Sequence, residues 1–213
     1  MNRLFNLDSR PYVKHLVEQR FSKEASVSPF FLTKLEKVMA DAELFESEEF
    51  GTIELEEIFL YLKSSHRYYQ EVWIPKLENT LLQMQMKQRN NWSVKLLVLF
   101  IQSYKKELVA HIEEEEKILF VFVDNLLAGK NYQDSADFIL NHFIHSHNDN
   151  VIIQLDELKK DILTFDEKLK GNLMVDVLFN QLTVFQQDLM IHGLIEDQVF
   201  IPKIQQRLNR PKD

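Results

Sequence analysis

Two phrases constrain the fold of this chain more than any others: His111-Ile-Glu-Glu-Glu115 and His192-Gly-Leu-Ile-Glu196. Each places a glutamate four residues after a histidine, inside a stretch with helical periodicity. At about 100° per residue, such a pair projects from one helix face, one turn apart. That face is otherwise apolar. In the first helix it reads Leu97, Phe100, Tyr104, Leu108, His111, Glu115, Ile118, Phe122. In the second it reads Leu178, Leu182, Phe185, Leu189, His192, Glu196, Val199. A carboxylate in a core-facing stripe is costly unless it is paired or bound to a cation. The pattern predicts a metal site inside a helix bundle.

The other histidines sort by the same test. His66 belongs to the stripe Leu55, Ile58, Phe59, Leu62, His66, Tyr69, Trp73, Leu77, and His147 to Leu140, Phe143, Ile144, His147, Val151, Leu155. Both are predicted to face a core. His145 has Asn141, His142, Asn148 and Asp149 as helical neighbours and should face water. Residues 145 and 147 differ by about 200° around a helix, so they cannot share a face. His142 has mixed neighbours, and His15, beside Glu18 and Gln19, reads as exposed. Four histidines and two glutamates remain: His66, His111, His147 and His192, one from each of four helices, with Glu115 and Glu196. Glu113, Glu114 and Glu116 read as solvated, Tyr69 and Trp73 as packing, and Met84 and Met86 as gap-fillers.

Only four Gly and five Pro interrupt 213 residues, so long helices are expected rather than a sheet with many turns. Residues 1–50 read as a helical extension. In it, Ser28-Pro29 forms an N-cap followed by a proline at the first helical position. Thr52 is expected to cap a helix running to the mid-80s, with Pro75 marking a kink or irregularity inside it. Asn90-Asn91 and Ala128-Gly129 punctuate the next helix, a third runs from about Asp134 to Phe165 or Lys168, and a fourth from about Gly171 to Leu208. The expected fold is all-α: residues 51–213 as an up-down-up-down four-helix bundle, preceded by the extension.

The absence of cysteine removes disulfides, thiolate metal sites and cysteine nucleophiles. A formal charge of −8 and the lack of a Lys/Arg run argue against nucleic-acid binding. Apolar positions are periodic and interrupted by charges, so no membrane span is expected. Without a basic start and apolar run, a cytoplasmic location is the expectation.

The segments Ile58–His66 with Ile74-Pro75-Lys76-Leu77, His111–Phe120, Ser146-His147-Asn148-Asp149 and His192–Pro202 occur in this order on the four helices. In them the chain resembles the hemerythrin-like di-iron proteins, and most of all their iron–sulfur cluster repair (repair of iron centres) branch. The resemblance covers roughly residues 52–208. It implies a bundle holding two non-haem iron ions, with manganese or zinc as substitutes. It implies Glu115 and Glu196 as bridging carboxylates and His66, His111, His147 and His192 as terminal ligands. It further implies reaction with O₂ or NO, a role in nitric oxide or oxidative stress, and iron–sulfur proteins as partners. Two departures stand out. The branch usually carries another histidine late in the first bundle helix, where this chain has Met84-Gln85-Met86-Lys87, and many members have a cysteine-bearing N-terminal domain.

The residues leave other readings open: a reversible O₂ or NO binder or sensor, or an interaction module with a structural metal and residues 1–50 as its docking surface. An oxidase or peroxidase-like enzyme also remains, although ferritin-like enzymes use E-x-x-H rather than H-x-x-x-E.

Overall fold

A computed structural model describes residues 10–21, 27–130, 133–143 and 171–209, with single positions at 157, 160, 161, 164, 166 and 169. Among these residues every regular element is helical and none is a strand. The elements are α1 (Arg10–Phe21), α2 (Pro29–Ala40), α3 (Leu55–Tyr68), α4 (Ile74–Lys87), α5 (Trp92–Lys117), α6 (Leu119–Leu127), α7 (Gln133–Phe143), α8 (Leu173–Ile195) and α9 (Ile201–Leu208).

Side-chain caps set three of the helix starts. Ser28 caps α2 by accepting a hydrogen bond from the Phe31 N–H, and Asn91 and Asn172 do the same for Val94 and Met174. Gly129 and Gly171 adopt φ of 75° and 72°, a conformation that costs glycine nothing and lets the chain turn. Thr52 is not a cap. The helix begins at Leu55 after an extended Glu54 that makes no side-chain cap bond, so residues 51–53 form the turn instead.

Pro75 does not break its helix. A π turn over Tyr69–Trp73 joins α3 to α4, and a second one over Glu196–Phe200 joins α8 to α9 ahead of Pro202. Proline lacks the N–H that would bond one turn back, and its ring crowds that carbonyl. Widening the preceding turn lets the Ile74 and Ile201 N–H groups reach the Tyr69 and Glu196 carbonyls, five residues back. The sequences around the two turns correspond: Val72-Trp73-Ile74-Pro75-Lys76 and Val199-Phe200-Ile201-Pro202-Lys203. In the remaining long helix, Ile118 interrupts the run between α5 and α6.

α4 packs on α5 and α8, α6 on α7, and α3 on the Glu196–Phe200 turn. The buried apolar side chains form two clusters. One holds Ile58, Phe59, Leu62, Leu119, Phe120, Ile191 and Phe200, and the other Tyr69, Trp73, Leu77, Leu108, Ile112, Leu182 and Phe185. Along α3 and α5–α6 the chain passes from one cluster to the other at His66 and Glu115, and along α8 it does so between Leu189 and Ile191, next to His192. The polar residues therefore occupy one level of the interior.

The extension shares this interior. Val13, Val17, Phe21, Phe31, Leu35 and Phe50 belong to the first cluster, and α1 packs on α2 and α3. Gln187 on α8 donates to the Met39 carbonyl of α2 at 2.9 Å. Arg20 of α1 is itself buried and forms an ion pair with the buried Asp188 of α8.

The stripes differ in detail from their expected registers. Ile101 and Ile112 are buried in α5, whereas Phe100 and His111 lie at the margin. Ile118 is 41% exposed because the helix is interrupted at that residue. In α8 the stripe passes through Asp188 rather than Leu189, which is half-buried.

Candidate metal centre

His66, Glu115 and His192 each bring one nitrogen or oxygen donor to within 4.8 Å of the others, and all three are buried. Such a group can hold a metal ion. His66 Nε2 lies 3.0 Å from Glu115 Oε2, and His111 Nε2 lies 2.8 Å from Glu115 Oε1. The Glu115 carboxylate thus sits between two imidazoles, one from another helix and one from the preceding turn of its own. His192 Nε2 lies 3.4 Å from Glu196 Oε2 in the matching i, i+4 pair. The His66 and His192 rings are 5.1 Å apart. Three of the six residues expected at a metal site, His66, Glu115 and His192, therefore meet at one place, and His111 and Glu196 each lie against one of them. His147 and its rejected neighbour His145 lie outside the described residues.

Aromatic rings wall the centre. Phe120 stacks on His66 at 4.9 Å, and Tyr69 and Tyr61 lie against His192 at 5.6 and 6.2 Å. Among the five residues only His111 reaches solvent, with its side chain 28% exposed.

Burial by itself would lower the His66 pKa. Hydrogen bonds to Glu115 and Glu116 overcome it and raise the value to about 9. Burial would raise the Glu115 pKa, but the bonds to His111 and His66 outweigh it and hold the carboxyl well below its usual range. For His192 burial wins, and its pKa is lowered. The centre thus contains an ionised carboxylate and a neutral imidazole in a water-poor interior, both competent as metal donors. Nitrogen and oxygen donors without thiolate suit iron, manganese or zinc. The residues present fit a metal ion.

Two features had not been read from the sequence. Glu116 is half-exposed, as expected of a solvated residue, yet its Oε1 accepts from His66 Nδ1–H at 3.3 Å. That bond orients the ring and presents Nε2 to the centre, as outer carboxylates do for metal-bound histidines. Spacing along one helix could not reveal a pairing made between helices. The second feature is Asp188, one turn before His192. It was visible in principle, because it is an acidic residue in the stripe joining Phe185 to His192. His142 is exposed, 3.0 Å from Glu114, and His15 is exposed.

The segment Met84–Lys87 is remote. Helix runs unbroken from Leu55 to Lys87, and 18 residues separate His66 from Met84, about 27 Å at 1.5 Å per residue. Met84 is fully buried in the second apolar cluster. No residue at that position could ligate a metal held by His66.

The chain matches no model of a known protein family, no curated protein and no solved structure.

Proposed function

We propose that this chain is a four-helix, hemerythrin-like protein whose core holds two iron ions, and that its ligand is O₂ or NO. In this reading three of the rods are α3–α4, α5–α6 and α8–α9, and α7 belongs to the fourth. The observation that carries the metal site is the convergence of His66, Glu115 and His192 within 4.8 Å in a buried place. As the resemblance implies, Glu115 and Glu196 would supply the carboxylates that hold both ions, and His66, His111, His147 and His192 would complete the set. Iron, when bound, supplies a redox-active ion with a coordination position for a diatomic ligand. The protein's part is to hold and shield. Glu116 fixes the His66 ring, Phe120 and Tyr69 keep water from the imidazoles, and the closed surroundings favour a small ligand over a bulky substrate. A role in nitric oxide or oxidative stress, with iron passed to damaged iron–sulfur proteins, rests on the resemblance.

The test is metal analysis of the purified protein, with absorption spectra recorded after anaerobic reduction and after adding NO or O₂ by stopped flow. About two irons per chain and a ligand-dependent spectrum are expected. Protein that takes up no iron under anaerobic reconstitution would overturn the reading. Iron that binds but leaves the spectrum indifferent to both gases would point to a structural metal.

A further inference from the structure

Metal binding leaves one face of the molecule unexplained. On α4, Leu82 and Met86 face outward, and on α5 so do Trp92, Leu96 and Leu99; all five are 39–67% exposed. They alternate with the residues that give each helix its core face, Leu81 and Met84 on α4 and Val94 and Leu97 on α5. A helix that is apolar on both sides over several turns ordinarily has both sides covered. The two helices pack together, and Lys105 of α5 bonds to Glu78 of α4 at 2.6 Å. On each helix the exposed apolar residues lie opposite the core, so they share the outer side of one hairpin. Exposed apolar patches of this kind mark protein or membrane contact sites.

The charge around this face runs against that of the whole chain. The protein has 33 Asp and Glu and 25 Lys and Arg, yet from Asn79 to Lys106 it has no acidic residue and five basic ones. Lys87, Arg89 and Lys95 are exposed among the apolar residues. A second copy fits this face badly. A twofold contact would set these cations against themselves, with no carboxylate in the segment to answer them. The face fits an occupant that is anionic at its surface and apolar beneath, which is an anionic lipid leaflet. Trp92, the most exposed of the five, opens α5 directly after the turn that joins the two helices. Indole is favoured at the headgroup level, where its apolar ring and polar N–H are both accommodated. From Trp92 to Leu99 the helix rises about 10 Å, comparable with the roughly 5–10 Å to which surface-bound helices enter the headgroup and acyl boundary.

We propose that the outer side of the α4–α5 hairpin docks the protein on an anionic membrane surface. No helix among the described residues is long and apolar enough to cross a membrane, so the contact is shallow. Trp92 and its apolar neighbours enter the headgroup layer, and Lys87, Arg89 and Lys95 meet the anionic headgroups. This surface makes no use of the metal centre.

Trp92 reports on its own surroundings, because the one other tryptophan, Trp73, is buried. The full chain is mixed with vesicles of phosphatidylcholine alone or with about one-third phosphatidylserine, and read by co-sedimentation and tryptophan emission. Co-sedimentation and a blue shift are expected with the anionic vesicles only, and about 0.5 M salt should weaken both. Combining Lys87→Gln, Arg89→Gln and Lys95→Gln should lower partitioning about 100-fold, roughly fivefold for each lost cation. Trp92→Ala should remove the blue shift. All four positions are exposed, so the fold should persist, which circular dichroism checks. Absence of binding, equal binding to neutral vesicles, or binding with the Trp92 emission unmoved overturns the proposal. A lipid-free dimer that Trp92→Glu dissociates also overturns it and assigns the face to a second copy. Emission from Trp92 that is already blue in the lipid-free monomer overturns it too, since the chain itself would then cover the face.

Discussion

His66 bonds to adjacent residues of one helix through its two ring nitrogens. Nε2 lies 3.0 Å from Glu115 Oε2 and Nδ1 lies 3.3 Å from Glu116 Oε1. The inner contact belongs to the centre, and the outer one holds the ring.

Removing the outer contact should therefore weaken metal binding without removing a ligand. Glu116→Ala is expected to lower metal affinity about 10- to 100-fold, the usual effect of losing an outer-shell carboxylate. Competition with a chromophoric chelator measures it. Glu113→Ala, on the same acidic run but exposed and paired with Lys117, serves as the control and should bind like the wild type. Equal affinity in both variants would remove the role assigned to Glu116.

Loss of the inner carboxylates should cost metal outright. Glu115→Ala and Glu196→Ala are each expected to lose at least one ion per chain by metal analysis, since both carboxylates are buried against imidazoles. Full occupancy in both would refute bridging.

Stability of the chelator-treated protein should fall with pH between about 6.5 and 9. The folded-state pKa of His66 is raised from 6.5 to about 9, because its bonds to Glu115 and Glu116 outweigh burial. Its protonation therefore stabilises the fold fully below 6.5, and that contribution disappears as pH rises through 9. Glu115 and His192, whose folded pKa values are both lowered, act in the other direction and at lower pH. Urea unfolding at several pH values tests this. The slope over that window should flatten in His66→Asn.

Arg20→Ala should be strongly destabilising, by about 3–5 kcal/mol, because it leaves the buried Asp188 side chain without its cation. Arg20→Ala combined with Asp188→Ala should cost less than the sum of the two single changes, a coupling that a double-mutant cycle measures. Additive effects would mean that the ion pair contributes nothing.

Met84→His should not add a metal ligand, since the site it would have to reach is about 27 Å away along the helix. Metal stoichiometry should be unchanged, and stability should fall because a polar ring replaces a fully buried thioether. A gain in bound metal would contradict the helix geometry.

Much of this was legible from the chain alone. The helical class follows from the scarcity of glycine and proline and from apolar periodicity, both local properties of a helix surface. The i, i+4 pairs His111–Glu115 and His192–Glu196 were readable for the same reason: one turn of helix fixes their separation whatever surrounds them. The α2 cap at Ser28 was readable for the same reason, whereas the caps at Asn91 and Asn172 were not read as caps. Relations between helices were not readable. Glu116 reaches His66 and Arg20 reaches Asp188 across sequence separations of 50 and 168 residues, and no spacing rule connects them. The π turns before Pro75 and Pro202 shift the helical phase by amounts that a fixed 3.6-residue period cannot anticipate. The sequence by itself determined which residues share a helix face. Only the tertiary structure decided which faces meet, because that depends on packing all the helices at once, and packing is what set His66, Glu115 and His192 at one level of the core.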